Sequence, residues 1–397
     1  MARRSAIVLT PRLPWPLDDG GRIALWQTVW AAAQTHDLTL LSFVPPGSET
    51  EPPPRPLAEL GVTVVRVPFR PPPLPVAAVS GLWGRWPYTI ARYRSVEFER
   101  LLRERVAVLA PAYVLANNLH LAPYVESVGG VPMVLRQQNV EHVWMERYAR
   151  ERGATPAGLY ARFQAARLKR AEASLCRAAS LTLAIQEGEA EILRAIAPGS
   201  RVATLPVGID LGRYPPRDPT EPPVFLLAAS FAWPPNVEGA LRFLADGWPR
   251  LRAGAPGARL RLAGKNPPVS LIRAANGAGA EIAANVPSMP EEFARATLLL
   301  APLWIGAGAR VKIVEALAAR LPVVATPFAA EGLGLTPGAH YLEGETAAEL
   351  AERALALLRD PARGEALARA GRAVAEERWS LPAVARLQNE LVAQVAR

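Results

Sequence analysis

Along the first half of the chain, short unbroken apolar runs alternate with stretches in which apolar residues recur every three or four positions. The runs are "SAIVLT" (5–10), "DLTLLSFV" (37–44), "VTVVRVP" (62–68), "AYVLAN" (112–117), "PMVLRQQ" (132–138) and "SLTLAI" (180–185). They lack the strict alternation of a half-exposed strand, so they predict strands buried on both faces of a parallel sheet. Helical periodicity fills the gaps at 22–35, 95–106, 142–178 and 187–196, the long segment being broken near Gly153 and Pro156. A polar, proline-rich passage, "VATLPVGIDLGRYPPRDPTEPP" (202–223), then reads as a strand leading into a hinge. After it the rhythm restarts. Strands are predicted at 224–229, 259–264, 280–285, 298–303, 322–326 and 340–344, and helices at 236–253, 290–297, 309–320, 346–359, 361–377 and 381–396. Two rounds of strand–helix alternation predict an α/β protein of two doubly wound, Rossmann-like domains. Ligands of such sheets sit beyond the carboxyl ends of the strands, so the chemistry is expected in strand-to-helix loops facing an inter-domain cleft.

A length of 397 residues agrees with two domains, since single cores stop growing well before that size. Cys176 is the only cysteine, which excludes intramolecular disulfides and cysteine-based zinc sites and favours a reducing compartment. The opening "MARRSAIVLTPRLPWPL" imitates a signal peptide, but Pro11 and Arg12 cut its apolar run, and a buried first strand is expected instead. No run approaches the ~20 apolar residues that span a bilayer. A cytoplasmic protein is expected, with peripheral contact at the inner face of the membrane as a further possibility. The net charge of +9 is carried almost wholly by arginine. It points either to anionic partners or to a compositional bias toward arginine. Of the three lysines, Lys169, Lys265 and Lys312, the last two fall in short loops beside glycines.

The stretch "WIGAGARVKIVEAL" (304–317) concentrates candidate chemistry. Gly306 and Gly308 lie on a turn between a buried strand and a helix, where a ligand can approach the main chain closely. The helix start offers unpaired N–H groups and the positive end of the helix dipole. Arg310 and Lys312 oppose that dipole, a conflict that an anionic ligand would resolve. Glu315, one turn further in, is placed to accept hydrogen bonds from ribose hydroxyls. Elsewhere, Gly20 and Gly21 open a helix after the first strand, with Asp18 and Asp19 before them as helix caps or acceptor contacts. His120 stands just beyond the strand at 112–117, and Asn139, Glu141 and His142 stand at the next strand-to-helix junction. These suit either capping or contact with an acceptor. The segment "LWGRWPYTIARYRSVEF" (82–98) mixes aromatic and arginine residues in a way that suits an anionic membrane interface, sugar stacking or a plain loop.

The segment "GAGARVKIVEALAARLPVVATPFAAEGL" (306–333) resembles the donor site of glycosyltransferase family 4, the retaining GT-B enzymes, and their subgroup with a G-G-G-T-R-x-K-x-x-E-A signature. "VGID" (207–210), "SFAWPPNVEGALRFL" (230–244) and "PLDDGGRIALWQTVWAAAQTHDLTLLSF" (16–43) are similar to other family segments, and the likeness covers nearly the whole chain. The resemblance implies an acceptor-binding domain at 1–207, a donor-binding domain at 208–379, and a last helix within 380–397 that crosses back to the first. It implies transfer of a sugar from a nucleotide diphosphate to a hydroxyl of a glycan or lipid-linked acceptor, in polysaccharide or glycoconjugate synthesis. The resemblance implies no bound metal, because protein cations and helix dipoles stabilise the leaving diphosphate; no cofactor is expected, since the nucleotide sugar is a substrate, and no nucleic acid. Arg310, Lys312 and the amides around Gly308 would stabilise the leaving diphosphate. Glu315 would hold the ribose; Gly306, Lys265, Glu331 and Gly332 would complete the donor side. His120 would lie near the donor sugar, as a catalytic residue beside Arg310 and Lys312. Asp19, Gly20, Gly21, Asn139, Glu141 and His142 would meet the acceptor. The chain departs from the pattern at Ala307, where many members carry a glutamate, and at "ASFAWPPNVEG" (229–239), where they keep an arginine and a lysine. A nucleotide-sugar 2-epimerase-like isomerase and a non-catalytic GT-B binding protein are the alternatives. A dinucleotide dehydrogenase is disfavoured, because no G-x-G-x-x-G follows the first strand.

Overall fold

A computed structural model describes residues 3–125, 128–306 and 310–396. Its first sheet holds β1 (Ser5–Thr10), β2 (Asp37–Val44), β3 (Thr63–Pro68), β4 (Val114–Asn117), β5 (Met133–Arg136), β6 (Leu181–Ala184) and β7 (Val202–Thr204), in the order β3-β2-β1-β4-β5-β6-β7. The second holds β8 (Val224–Ser230), β9 (Arg259–Lys265), β10 (Glu281–Ala284), β11 (Leu298–Ala301), β12 (Val323–Ala325) and β13 (Leu342–Glu343), in the order β10-β9-β8-β11-β12-β13. Every strand pair is parallel.

The unbroken apolar runs are explained by burial on both faces. Ile7 and Leu9 of β1 join the core on one side of the first sheet, and Ala6 and Val8 join the core on the other. All the expected strands are present, with ends shifted by a few residues. The long helical segment is divided at Gly153, whose φ of 59° ends one helix before Pro156 starts the next. Among the described residues, two helices of nine residues or more were not predicted from the sequence: α2 (Leu74–Trp83), which lies in the proline-rich part of the chain, and Val269–Gly277, which follows β9; several helices of four or five residues were missed as well. The other helices that shape the cleft are α1 (Gly20–Thr35), α3 (Glu141–Arg152), α4 (Pro156–Ala178), α5 (Pro234–Arg242), α6 (Val311–Ala318) and α7 (Leu381–Ala393).

Helix α7 packs against α1 of the first domain. The contact is specified by buried amides: Gln27 Nε2 donates to Gln388 Oε1 at 2.8 Å, and Gln388 Nε2 donates to the Thr28 carbonyl at 3.0 Å. The two chain crossings between the domains run side by side. Ile209 N–H donates to the Trp379 carbonyl, and Leu381 N–H to the Ile209 carbonyl, at 2.8 and 2.7 Å. Arg136, fully buried, donates to the carbonyls of Leu205 and Pro206 at the first crossing.

Strand order reverses between β1 and β4 in one sheet and between β8 and β11 in the other. At such a point neighbouring loops leave in opposite directions and open a crevice. The two crevices face each other.

Candidate functional site

A cleft of about 330 Å³ lies where the two switch points meet. Asp18, Asp19, Gly20 and Gly21 line it from the loop after β1 and the start of α1, and Asn139 from the loop after β5. The second domain contributes Ser230 at the end of β8, Trp233 just after it, Asn236 from α5, Lys265 at the end of β9, and Lys312 and Glu315 from α6. The first turns of α1 and α6 face each other so closely that a Cβ added at Gly20 would lie 3.2 Å from Val311 Cγ2. Two helix dipoles therefore direct their positive ends toward one space, which suits an anion.

Gly264 keeps the rear of the cleft compact. Its φ is +154°, and a Cβ there would lie 1.6 Å from the Ala229 carbonyl oxygen. Only glycine lets β9 approach β8 in this way and then present Lys265.

The charged groups are paired in a definite pattern. Lys265 Nζ lies 2.5 Å from Asp18 Oδ2 across the cleft and 3.9 Å from Asp19 Oδ2. Asp18 also accepts from Arg22 at 2.8 Å. Burial alone would raise the Asp18 pKa, but Lys265 and Arg22 outweigh it and hold the carboxyl below its ordinary value. Asp19 caps α1 by accepting from the Arg22 N–H at 2.9 Å and pairs with Arg12 at 2.6 Å. Of the two roles open to Asp19, capping is therefore realised, with the residue still on the cleft wall. Lys312 Nζ donates to Asn236 Oδ1 at 2.7 Å, and Asn236 Nδ2 donates to the Ser230 carbonyl at 2.8 Å. Asn236 carries no charge, but it aims Lys312 into the region where the expected arginine and lysine are missing. Burial, and then the nearby Arg310, push the Lys312 pKa down to about 7. Glu315 accepts from the Tyr214 hydroxyl at 2.8 Å, and burial raises its pKa to about 7.

Several expected site residues lie elsewhere. Arg310 lines a second, 40 Å³ pocket with Gly332 and Gln186, beside the main cleft rather than in it. Its guanidinium sits over the Phe328 ring at 4.6 Å and 3.8 Å from Glu331, turned away from Lys312's side of the helix start. Gly332 is required there, since a Cβ would lie 1.9 Å from Gln186 Oε1. His142 is a buried structural residue and not an acceptor contact: its Nδ1 is 2.5 Å from Glu172, a fully buried carboxylate on α4. The same Glu172 accepts the backbone N–H groups of Glu141 and His142 and so caps α3 from outside. Glu141 does not line the cleft either; burial, and then Glu172, raise its pKa to about 8. His120 packs edge-on against Tyr93 at 4.9 Å, away from the cleft lining, and burial followed by Arg92 lowers its pKa to about 4. Gly306 borders a larger groove behind Trp233, and its carbonyl accepts from Arg147 of the first domain. Gly308 and Ala307 lie outside the described residues.

Sequence reading missed Asn236 as the partner of Lys312, Tyr214 as the partner of Glu315, and Glu172 as the cap of α3. Tyr214 has a signal only in hindsight, as an aromatic residue in the charged hinge passage. Glu172 stands out as an acidic residue on the buried face of a long helix.

With this geometry in view, three comparisons are informative. Residues 222–360 match the family model described as Glycosyl transferases group 1. A search of curated proteins finds no match. Among solved structures, a sucrose-phosphate synthase from Thermosynechococcus elongatus is 15% identical, with 99% of each chain covered and a TM-score of 0.74. HepE from Anabaena in complex with UDP and glucose is 14% identical, with 98% of this chain and 100% of that one covered and a TM-score of 0.68. An α,α-trehalose 6-phosphate synthase from Burkholderia multivorans is 12% identical, with 100% and 99% covered and a TM-score of 0.64. At these identities the structural likeness carries the fold alone; the family match rests on the second domain.

Proposed function

We propose that this chain, which has a GT-B fold and matches the group 1 glycosyltransferase model over residues 222–360, is a glycosyltransferase that moves a sugar from a nucleotide diphosphate to an acceptor hydroxyl with retention at the anomeric carbon, and that the cleft described above is its donor site. The observation that carries this reading is the convergence of two helix N-termini and the side chains of Lys265 and Lys312 on one space, with Glu315 at its edge. The lysines and dipoles face the diphosphate and stabilise the charge that develops on it as the glycosidic bond to phosphate breaks. Glu315 accepts hydrogen bonds from the ribose hydroxyls. UDP in the HepE complexes supports a uridine donor as the first to test.

The three carboxylates lining the cleft each hold a partner already: Asp18 with Lys265 and Arg22, Asp19 with Arg12, and Glu315 with Tyr214. That favours front-face attack over a covalent double displacement. In such a reaction the acceptor oxygen bonds to the anomeric carbon on the face that the diphosphate oxygen leaves, and the acceptor's proton passes to the departing diphosphate. The products are the glycoside and a nucleoside diphosphate.

Peripheral contact with an anionic membrane from the cytoplasmic side belongs to the same reading. Helix α2 has no charged side chain, exposes Val76, Val79 and Trp83, and is followed by Arg85, Arg92 and Arg94. Among the described residues no helix is long and apolar enough to cross a membrane.

A thermal-shift series with UDP-, GDP- and ADP-glucose tests the donor site, since a ligand at one hundred times its Kd adds about 2.7 kcal/mol of stability. Analysis of the products by NMR tests the reaction. A glycoside with the donor's anomeric configuration is expected. Inversion at that carbon, or an isomerised donor without transfer, would overturn the retaining-transferase reading.

A further inference from the structure

Behind Trp233 the domains enclose a second, larger space of about 1350 Å³ that the donor site does not use. It exceeds the ~300–1,000 Å³ of ordinary small-molecule sites. Aromatic rings from both domains form its walls. Trp144 of α3 stacks with Tyr148 at 5.7 Å and 21°, and meets Trp233 of the second domain at 5.3 Å and 31°. Tyr160 lines it from α4, and Trp304 and Phe328 from the second domain. The charged lining is predominantly positive: Arg147, Arg150 and Arg152 against Glu151. Trp233 belongs to both spaces, so the groove adjoins the donor cleft through one side chain.

The outer end of the groove opens onto apolar surface. Ala78 of α2 and Ala157, Tyr160 and Ala161 of α4 lie on its wall. Their neighbours along the same helices are exposed: Val76 and Val79 at 58%, Leu159 at 55% and Phe163 at 45%. Large apolar side chains left in water beside an aromatic groove mark an interaction site more often than chance exposure does.

We propose that this groove is the acceptor site and that the acceptor is an anionic amphiphile. Its apolar chain lies against Trp144, Tyr148 and Tyr160 and leaves over Val79 and Leu159. Its anionic group meets the arginines of α3, and the accepting hydroxyl passes Trp233 into the donor cleft. This rests on the reading of the cleft as the donor site. A sugar without an apolar part would leave most of the groove to water; a neutral lipid would leave the arginines unmatched.

The test uses the whole protein and n-alkyl phosphates as probes, titrated below their micelle concentrations by calorimetry. Octyl, decyl and dodecyl phosphate should bind progressively more tightly, by about fourfold per methylene. Inorganic phosphate should show no comparable site, and dodecyl maltoside, with a neutral head, should bind more weakly than dodecyl phosphate. Trp144→Ala should weaken dodecyl phosphate binding about tenfold or more while UDP binding stays unchanged. Arg150→Glu, an exposed substitution that should not disturb folding, should weaken it about fivefold. Affinity that does not depend on chain length, or that neither variant alters, would overturn the proposal. So would binding to anionic vesicles without binding to the monomeric probe, which would make the face a membrane dock. UDP supplies the separate arm: if the alkyl phosphates bind as described and UDP-sugars do not, the donor assignment fails while the groove remains an amphiphile site.

Discussion

Lys265 and Asp18 join the two domains across the cleft, Nζ to Oδ2 at 2.5 Å. The carboxylate occupies a cation that the proposed diphosphate needs, and it adds negative charge to an anion site. Asp18 is thus a competitor of the donor, held in place by Arg22.

Asp18→Asn should therefore strengthen UDP binding by about three- to tenfold, as Lys265 is released to the ligand. The same change should lower the stability of the free protein by no more than about 1 kcal/mol, the range of partly exposed ion pairs. Calorimetry with UDP and urea unfolding measure the two effects. Weaker UDP binding in Asp18→Asn would show that the carboxylate contributes to the ligand site instead.

Lys312, with its pKa pushed down to about 7 by burial and by Arg310, should make donor binding depend on pH. A diphosphate beside Nζ favours the charged amine, so above pH 7 binding takes up a proton. Affinity for UDP should fall as pH rises from 7 to 9, with a slope approaching tenfold per pH unit. Lys312→Arg should flatten that slope while retaining the charge, and Lys312→Ala should cut turnover far more than stability. An unchanged slope in Lys312→Arg would remove Lys312 from the diphosphate site.

Glu315 carries the opposite signature. Burial raises its folded pKa to about 7 from an ordinary 4.5. Below pH 4.5 the group contributes its full relative stability as the neutral acid, and that contribution is lost as pH rises through 7. Glu315→Gln keeps an acceptor for Tyr214 without the charge. Its urea stability should lack this decline and exceed that of the parent at pH 8 by about 3 kcal/mol. Its affinity for UDP should drop about tenfold, through loss of charged hydrogen bonds to ribose. A variant less stable than the parent at pH 8 would contradict the burial cost assigned to Glu315.

At the buried Gln27–Gln388 pair, single and double substitutions should differ. Gln388→Leu leaves the Gln27 amide without its acceptor in the core and should cost about 1–3 kcal/mol. Replacing both with leucine should cost less than the sum of the single changes, because no polar group is then left unpaired. A double-mutant cycle by urea denaturation measures the coupling. Strict additivity would mean that the two amides act independently.

Most of the strand framework was legible because buried parallel strands write a plain signal: Ile7 and Leu9 face one core and Ala6 and Val8 the other, so no polar residue interrupts the run. Helix α2 was hidden, since its apolar residues follow a proline cluster and lack the polar face that marks an amphipathic helix. At the site, Lys312, Lys265, Glu315, Asp19, Gly20, Gly21 and Asn139 come together as their loops suggested. What the chain order could not convey was side-chain direction. Arg310 and Lys312 are two residues apart, so on a helix they diverge by more than half a turn, and only one of them faces the cleft. His142 likewise sits at a promising junction, but Glu172, thirty residues on, turns it into the core. Partners from distant elements decide such orientations, and local pattern does not contain them.

The return of α7 to the first domain has a consequence for synthesis. The α1 surface that receives Val384 and Gln388 is made early, yet it stays uncovered until residues 381–393 have left the ribosome. The second domain, lying between, can close its own sheet while the first still waits for its last helix. Nascent chains should therefore acquire a protease-resistant second domain before the first is complete, reversing the usual amino-to-carboxyl order of domain maturation.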